Sequence, residues 1–149
     1  MIDIEPFARL VGGDHGLAVV ALALPDGTAH ASVTNAGVLP HPVTGETVVG
    51  MVVRGGTRKL AYWRERPYAN VVIRSGWQWA AAEGPVDLIG PDDPAPSVDP
   101  ERLRLLLREI FTAAGGTHDD FATYDRVMHD ERRTAVFVHP ARVYANPGQ

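Results

Sequence analysis

The single lysine of the chain, Lys59, closes the run Arg54-Gly55-Gly56-Thr57-Arg58-Lys59, which follows the apolar stretch Thr47–Val53 and precedes a short helix-like stretch at residues 60–66. These residue types suit an anion. Glycines let backbone N–H groups come close, a helix start carries partial positive charge, and Thr57, Arg58 and Lys59 add a hydroxyl, a guanidinium fork and a point charge. A cofactor phosphate is the ligand such a corner would take, with Arg54 and the backbone of Gly55 and Gly56 beside it. The same residue types also build ordinary solvated turns, so the motif alone reads both ways.

Other chemistries find less support. The six histidines (His15, His30, His41, His118, His129 and His139) contain no helical i,i+4 pair and no His-Glu-x-x-His pattern, so no metal is expected. The lack of cysteine removes disulfides, thiolate catalysis and thiolate-bound metals. Ser32, Ser75 and Ser97 have no nucleophile-elbow context. Trp77 and Trp79, two apart, would share one strand face, either as core or, for Trp77 beside Gly76, as a surface that touches a ring. With 14 basic against 18 acidic residues, a net charge of -4 and no basic block, nucleic acid is not an expected partner. No apolar run approaches membrane-spanning length, which predicts no membrane association and a cytoplasmic location.

At 149 residues and 45% hydrophobic content, the chain is expected to form one domain over residues 1–149. A short helix is expected at 3–11, then strands at 17–24 and 28–38 flanking Pro25-Asp26-Gly27, and a proline-rich loop at 40–45. Further strands are predicted at 47–53, 69–74, 77–88 (with an interruption near Gly84-Pro85) and 134–144. Asp99-Pro100 opens a helix in which Leu103, Leu106, Leu107, Ile110 and Ala114 recur at helical spacing, and 119–129 supplies another. Six strands without regular strand–helix alternation predict a mainly β fold, a small antiparallel barrel with peripheral helices.

The order strand, Gly-Gly-Thr-Arg-Lys, helix, Arg-Pro, strand, Gly-Trp-x-Trp-x-x-x-Glu-Gly resembles the pyridoxamine 5'-phosphate oxidase-like split barrels. Within them it is most similar to the actinobacterial enzymes that use the deazaflavin coenzyme F420. The resemblance runs from Pro25-Asp26-Gly27 through Gly76 to Gly84, then Thr117-His118-Asp119-Asp120-Phe121 and Arg132-Arg133. It implies a six-stranded split barrel and a homodimer with two interfacial sites. By position, Thr57, Arg58 and Lys59 would hold the cofactor phosphate, and Ser32, Val33, Thr34 and Asn35 would run beside the tricyclic ring. Trp77 and Gln78 would reach the pocket from the partner subunit, and His30 falls near the ring or faces water. The implied activity is hydride transfer from reduced F420 to a conjugated small-molecule acceptor such as a tetrapyrrole, quinone or unsaturated lactone, with no residue singled out as proton donor.

Two departures from the family pattern bear on substrate. Ala80-Ala81-Ala82-Glu83 stands where oxidases of pyridoxamine phosphate carry an Arg-Gln-Val-Arg-like stretch, and their Arg-x-His motif is missing near 139–142, so oxidation of a B6 vitamer is disfavoured. The loop at 40–45 reads as an insertion, either surface decoration or a border of the substrate pocket. Three other readings remain open: an FMN-dependent enzyme of the same fold, a non-catalytic carrier of flavin, deazaflavin or haem, and an interaction protein docking through the Arg-rich segment 101–108.

Overall fold

Alternation in Leu17-Ala-Val-Val-Ala-Leu-Ala sends Ala18, Val20 and Leu22 inward and leaves the residues between them on the outer face, so this segment forms a half-buried strand, β1 (Leu17–Ala23). The computed structural model describes residues 2–147. A tight turn returns the chain into β2 (Ala29–Asn35). The Asp26 carboxylate accepts from the Thr28 N–H and hydroxyl, and Gly27 takes φ +87. The remaining strands are β3 (Gly37–Pro40), β4 (Thr47–Val53), β5 (Tyr68–Ser75), β6 (Gln78–Ile89), β7 (Thr134–Val138) and β8 (Arg142–Ala145). Helices are α1 (Glu5–Ala8), α2 (Arg58–Glu65), α3 (Pro100–Ala113) and α4 (Phe121–Asp130).

All strand pairs are antiparallel, in the order β2-β1-β5-β6-β7-β4-β3, with β8 also on β6. The result is a mainly β, split-barrel sheet that stays open rather than closing. Its bend is carried by the long β6, whose first part pairs with β5 and β8 and whose last part pairs with β7.

Eight strands stand where six were expected, because two continuous-looking runs change partners midway. Residues 28–38 divide at Ala36, where Gly37 lies so close to α3 that a Cβ would sit 2.6 Å from the Ala113 carbonyl carbon. Residues 134–144 divide at His139-Pro140-Ala141, which arches past Gly84 while His139 and Ala141 donate N–H bonds to the Pro85 and Glu83 carbonyls. A Cβ at Gly84 would overlap the His139 carbonyl oxygen. The expected interruption at Gly84-Pro85 is therefore absent from β6 and falls instead in the strand facing it.

The inner side of the sheet buries Val20, Val49, Met51, Val71, Ile73 and Val136 against Phe7, Leu60 and Trp63. A second cluster puts Leu106, Leu107 and Ile110 of α3 onto Val48, Ala135 and Phe137. Asp99 and Asp120 cap α3 and α4, accepting from the N–H of Arg102 and Thr123. Among the described residues no helix is long and apolar enough to cross a membrane.

Candidate functional site

β2 ends the sheet, so one of its edges has no strand partner among the described residues. The bonds from Leu24 N–H to the Thr28 carbonyl and from Ala36 N–H to the Gly16 carbonyl fix the ladder's phase. His30, Ser32 and Thr34 turn their backbone groups to β1, and Ala31, Val33 and Asn35 turn theirs to the free edge. Side chains follow the other alternation. His30, Ser32 and Thr34 share the inner face of their partners Leu22, Val20 and Ala18, whereas Val33 points to the outer face and is 61% exposed. The Asn35 amide donates to the His15 carbonyl at 2.8 Å.

The Lys59 corner meets this strand directly. Lys59 lies in the first turn of α2, and its Nζ donates to Ser32 Oγ at 3.2 Å. It is half-buried and has no carboxylate partner among the described residues. Burial, with a smaller contribution from the charge of Arg133, pushes its ammonium below the usual lysine range. Thr57 occupies the N-cap position of α2 yet makes no capping bond, and its buried Oγ1 has no partner. His30 Nδ1, on the same inner face as Ser32, is likewise buried and unpartnered. Arg54 and Arg58 are exposed and form no ion pair among the described residues.

The two glycines divide in role. Gly56 takes φ +78 in open space, as the turn requires. Gly55 is spent on the fold: its N–H donates to the Glu131 carbonyl at 3.0 Å, and a Cβ there would come within 2.5 Å of the Arg132 carbonyl oxygen. Its backbone is therefore not free for an anion, contrary to the sequence expectation.

Trp77 is not in a strand. It is the second residue of the two-residue turn joining β5 to β6, after Gly76 at φ +60, and is 89% exposed. Asn146 braces the turn, donating to the Trp77 carbonyl and accepting from the Trp79 N–H, each at 2.9 Å. Trp79 packs edge-on to Tyr144. Gln78 opens β6 opposite Ser75. Within one chain, then, the Trp77 ring projects into solvent and not onto the Lys59 corner.

A cavity of about 220 Å³ lies at the end of β2, bordered by Thr34, Asn35, Val52, Tyr124, Met128 and Arg133. Tyr124 donates to the Leu107 carbonyl at 3.0 Å, and burial pushes its phenol up to about 12, so it is a fixed donor and not a ready acid. Arg133 gives Nε and Nη2 to one oxygen of Glu131 while its charge reaches Lys59. It was absent from the expected site, although Arg132-Arg133 belonged to the resemblance.

The fold also gathers His41, Asp87 and His139, whose ligand-type atoms lie within 4.8 Å of one another. His41, 6% exposed, accepts the N–H groups of Val43 and Thr44 on Nδ1 at 3.1 and 3.3 Å. The network therefore assigns its proton to Nε2, which donates to Asp87 at 3.0 Å. His139 Nε2 bonds the other oxygen of Asp87. A metal on His41 Nε2 would force the ring proton onto Nδ1, into two backbone donors. The group acts as a latch tying the 40–46 loop to β6.

No family model matches this chain, and no curated protein matches it. Solved structures do. The chain is similar to a conserved hypothetical protein of Mycobacterium tuberculosis at TM-score 0.67 and 15% identity, covering 97% of this chain and 84% of that one. A pyridoxamine 5'-phosphate oxidase-related, FMN-binding protein of Nostoc punctiforme aligns at TM-score 0.62 and 13% identity, covering 95% and 78%. An F420 reductase aligns at TM-score 0.57 and 14% identity, covering 86% and 88%. Likeness at these identities shows the fold alone, an antiparallel split-barrel sheet shared with these proteins.

Proposed function

We propose that the chain is an F420-dependent oxidoreductase whose cofactor phosphate is held at the Lys59 corner. The observation that carries this is a half-buried ammonium without an anion, set beside a second cation and two buried oxygen or nitrogen atoms that lack partners. A phosphate at the start of α2 would take Lys59 as charge and Thr57 Oγ1 as donor, with Arg58 and Arg54 reaching it from the exposed side. Ser32 keeps the ammonium aimed. The backbone groups of Ala31, Val33 and Asn35 at the free edge of β2 suit the polar rim of a flat ring, with Ser32 and Thr34 lining the inner side.

Reduced F420 would supply a hydride and a proton to a conjugated acceptor and be left two electrons oxidised. The chain's own task is to bind, orient and exclude water. Supporting a homodimer, the outer face of β1 and β2 leaves Val19 43% and Val33 61% exposed, and Trp77 stands 89% exposed at a hairpin tip, where a partner's site would receive it.

The test is a titration followed by deazaflavin fluorescence, with FMN measured in parallel. F420 should bind more tightly than FMN, and Lys59→Ala should weaken F420 by about 1–3 kcal/mol, the range for a charge-assisted contact, with the fold intact. Equal affinity of wild type and variant removes the phosphate assignment. Tighter FMN binding replaces the cofactor and keeps the site.

A further inference from the structure

A larger cavity, about 410 Å³, opens between α3, α4 and the loop that follows β6. This volume is within the range of small-molecule sites. Its floor is apolar and well buried, made by Ile89, Val98 and Leu107, and its mouth carries Arg104, Arg132 and Arg133. The acidic residues on its wall are already committed: Asp99 caps α3, and Asp125 bonds both Arg104 and Arg108. Arg133 spends Nε and Nη2 on a single carboxylate oxygen of Glu131, leaving Nη1 out of that pair. Arg104 commits Nε, Nη1 and Nη2 to Glu101 and Asp125, and Arg132 Nη2 pairs with Asp92, so the mouth offers no unpaired charge but guanidinium donors outside these pairs, Nη1 of Arg133 among them. An apolar pocket with such a donor at its mouth is complementary to a molecule that is greasy at one end and anionic at the other.

Its position gives the pocket a role. Met128 and Arg133 line both this cavity and the smaller one that contains Thr34 and Asn35 at the end of β2. We propose that this cavity binds the acceptor, an apolar, ring-bearing organic anion whose charged group is held by Arg133. The acceptor role rests on the cofactor reading above; the binding of such an anion does not.

The test uses 8-anilinonaphthalene-1-sulfonate and its uncharged analogue N-phenyl-1-naphthylamine, added to the full chain without cofactor. The sulfonate should bind saturably, one per chain, and about tenfold more tightly than the neutral dye, the ratio expected of one charged hydrogen bond. Arg133→Gln should erase that ratio while leaving the neutral dye unchanged. Leu103→Trp, which fills the pocket, should abolish binding of both dyes; Ala95→Phe, on the opposite wall, serves if the first variant fails to fold. Equal affinity for the two dyes, no saturable binding, or full binding to a folded filled variant overturns the proposal. F420 titrated into the filled variant separates the two readings: normal F420 affinity with loss of dye supports both, whereas dye binding without any F420 binding in wild type overturns the acceptor role along with the cofactor and leaves an anion site.

Discussion

A lysine held partly out of water without a counter-ion works against folding whenever it is protonated. Because the folded-state pKa of Lys59 is lowered, the unfolded chain binds its proton more tightly, so its cost is present at neutral pH and fades as pH rises through the folded value. Lys59→Met should therefore raise the melting temperature of the cofactor-free protein, by about 2–4 °C, while weakening the cofactor. A drop in both quantities would mean that Lys59 serves the fold. The same lowered pKa makes F420 affinity decline with rising pH below the range where an ordinary lysine discharges, and this slope should vanish in Lys59→Met. The corner was legible because its parts are neighbours in sequence. Arg133 was not, since nothing local marks an arginine before a strand as facing a lysine on a distant helix. Nor was the latch, whose histidines sit 46 and 52 residues from Asp87 and meet it only through the β3–β4, β4–β7 and β6–β7 pairings.

Three helix starts look alike in sequence and differ in the structure. Asp99, Asp120 and Thr57 all occupy N-cap positions, but only the two aspartates accept a backbone N–H. Asp99→Ala should cost about 1 kcal/mol in denaturant unfolding, the usual value of a lost cap. Thr57→Val should cost almost nothing, since it removes a hydroxyl that no protein group uses, yet it should weaken F420 several-fold. A stability loss in Thr57→Val matching that of Asp99→Ala would show an ordinary cap. Strand boundaries were legible where turn chemistry marks them, as at Asp26-Gly27 and at β4, whose bounds match the expected run. They were hidden where a run of strand-like residues switches partners, at Ala36-Gly37 and at 139–141, because periodicity reports the face a residue takes and not which strand lies beside it.

On the scale of the whole molecule, an open sheet of this kind has an outer face and a free edge that the chain alone does not cover. Val19 and Val33 lie opposite each other on that face, with Val72 continuing the apolar row beyond Val19 on the neighbouring strand. Two copies meeting through this face would bury the row and bring the Trp77 hairpin of one chain toward the free edge of β2 in the other, which is where the proposed ring would lie. Val33→Asp would place a charge in the middle of that contact without touching the inner core, so the variant should fold normally but sediment as a monomer at micromolar concentration, where the wild type should sediment as a dimer. The monomer should also bind F420 less well, because it loses the partner's aromatic tip while keeping its own Lys59. Trp77→Ala isolates that second effect: it should leave both melting temperature and dimerisation unchanged and lower F420 affinity alone. If Val33→Asp remains dimeric, the outer face is not the interface; if it becomes monomeric with full cofactor affinity, each site is complete within one chain.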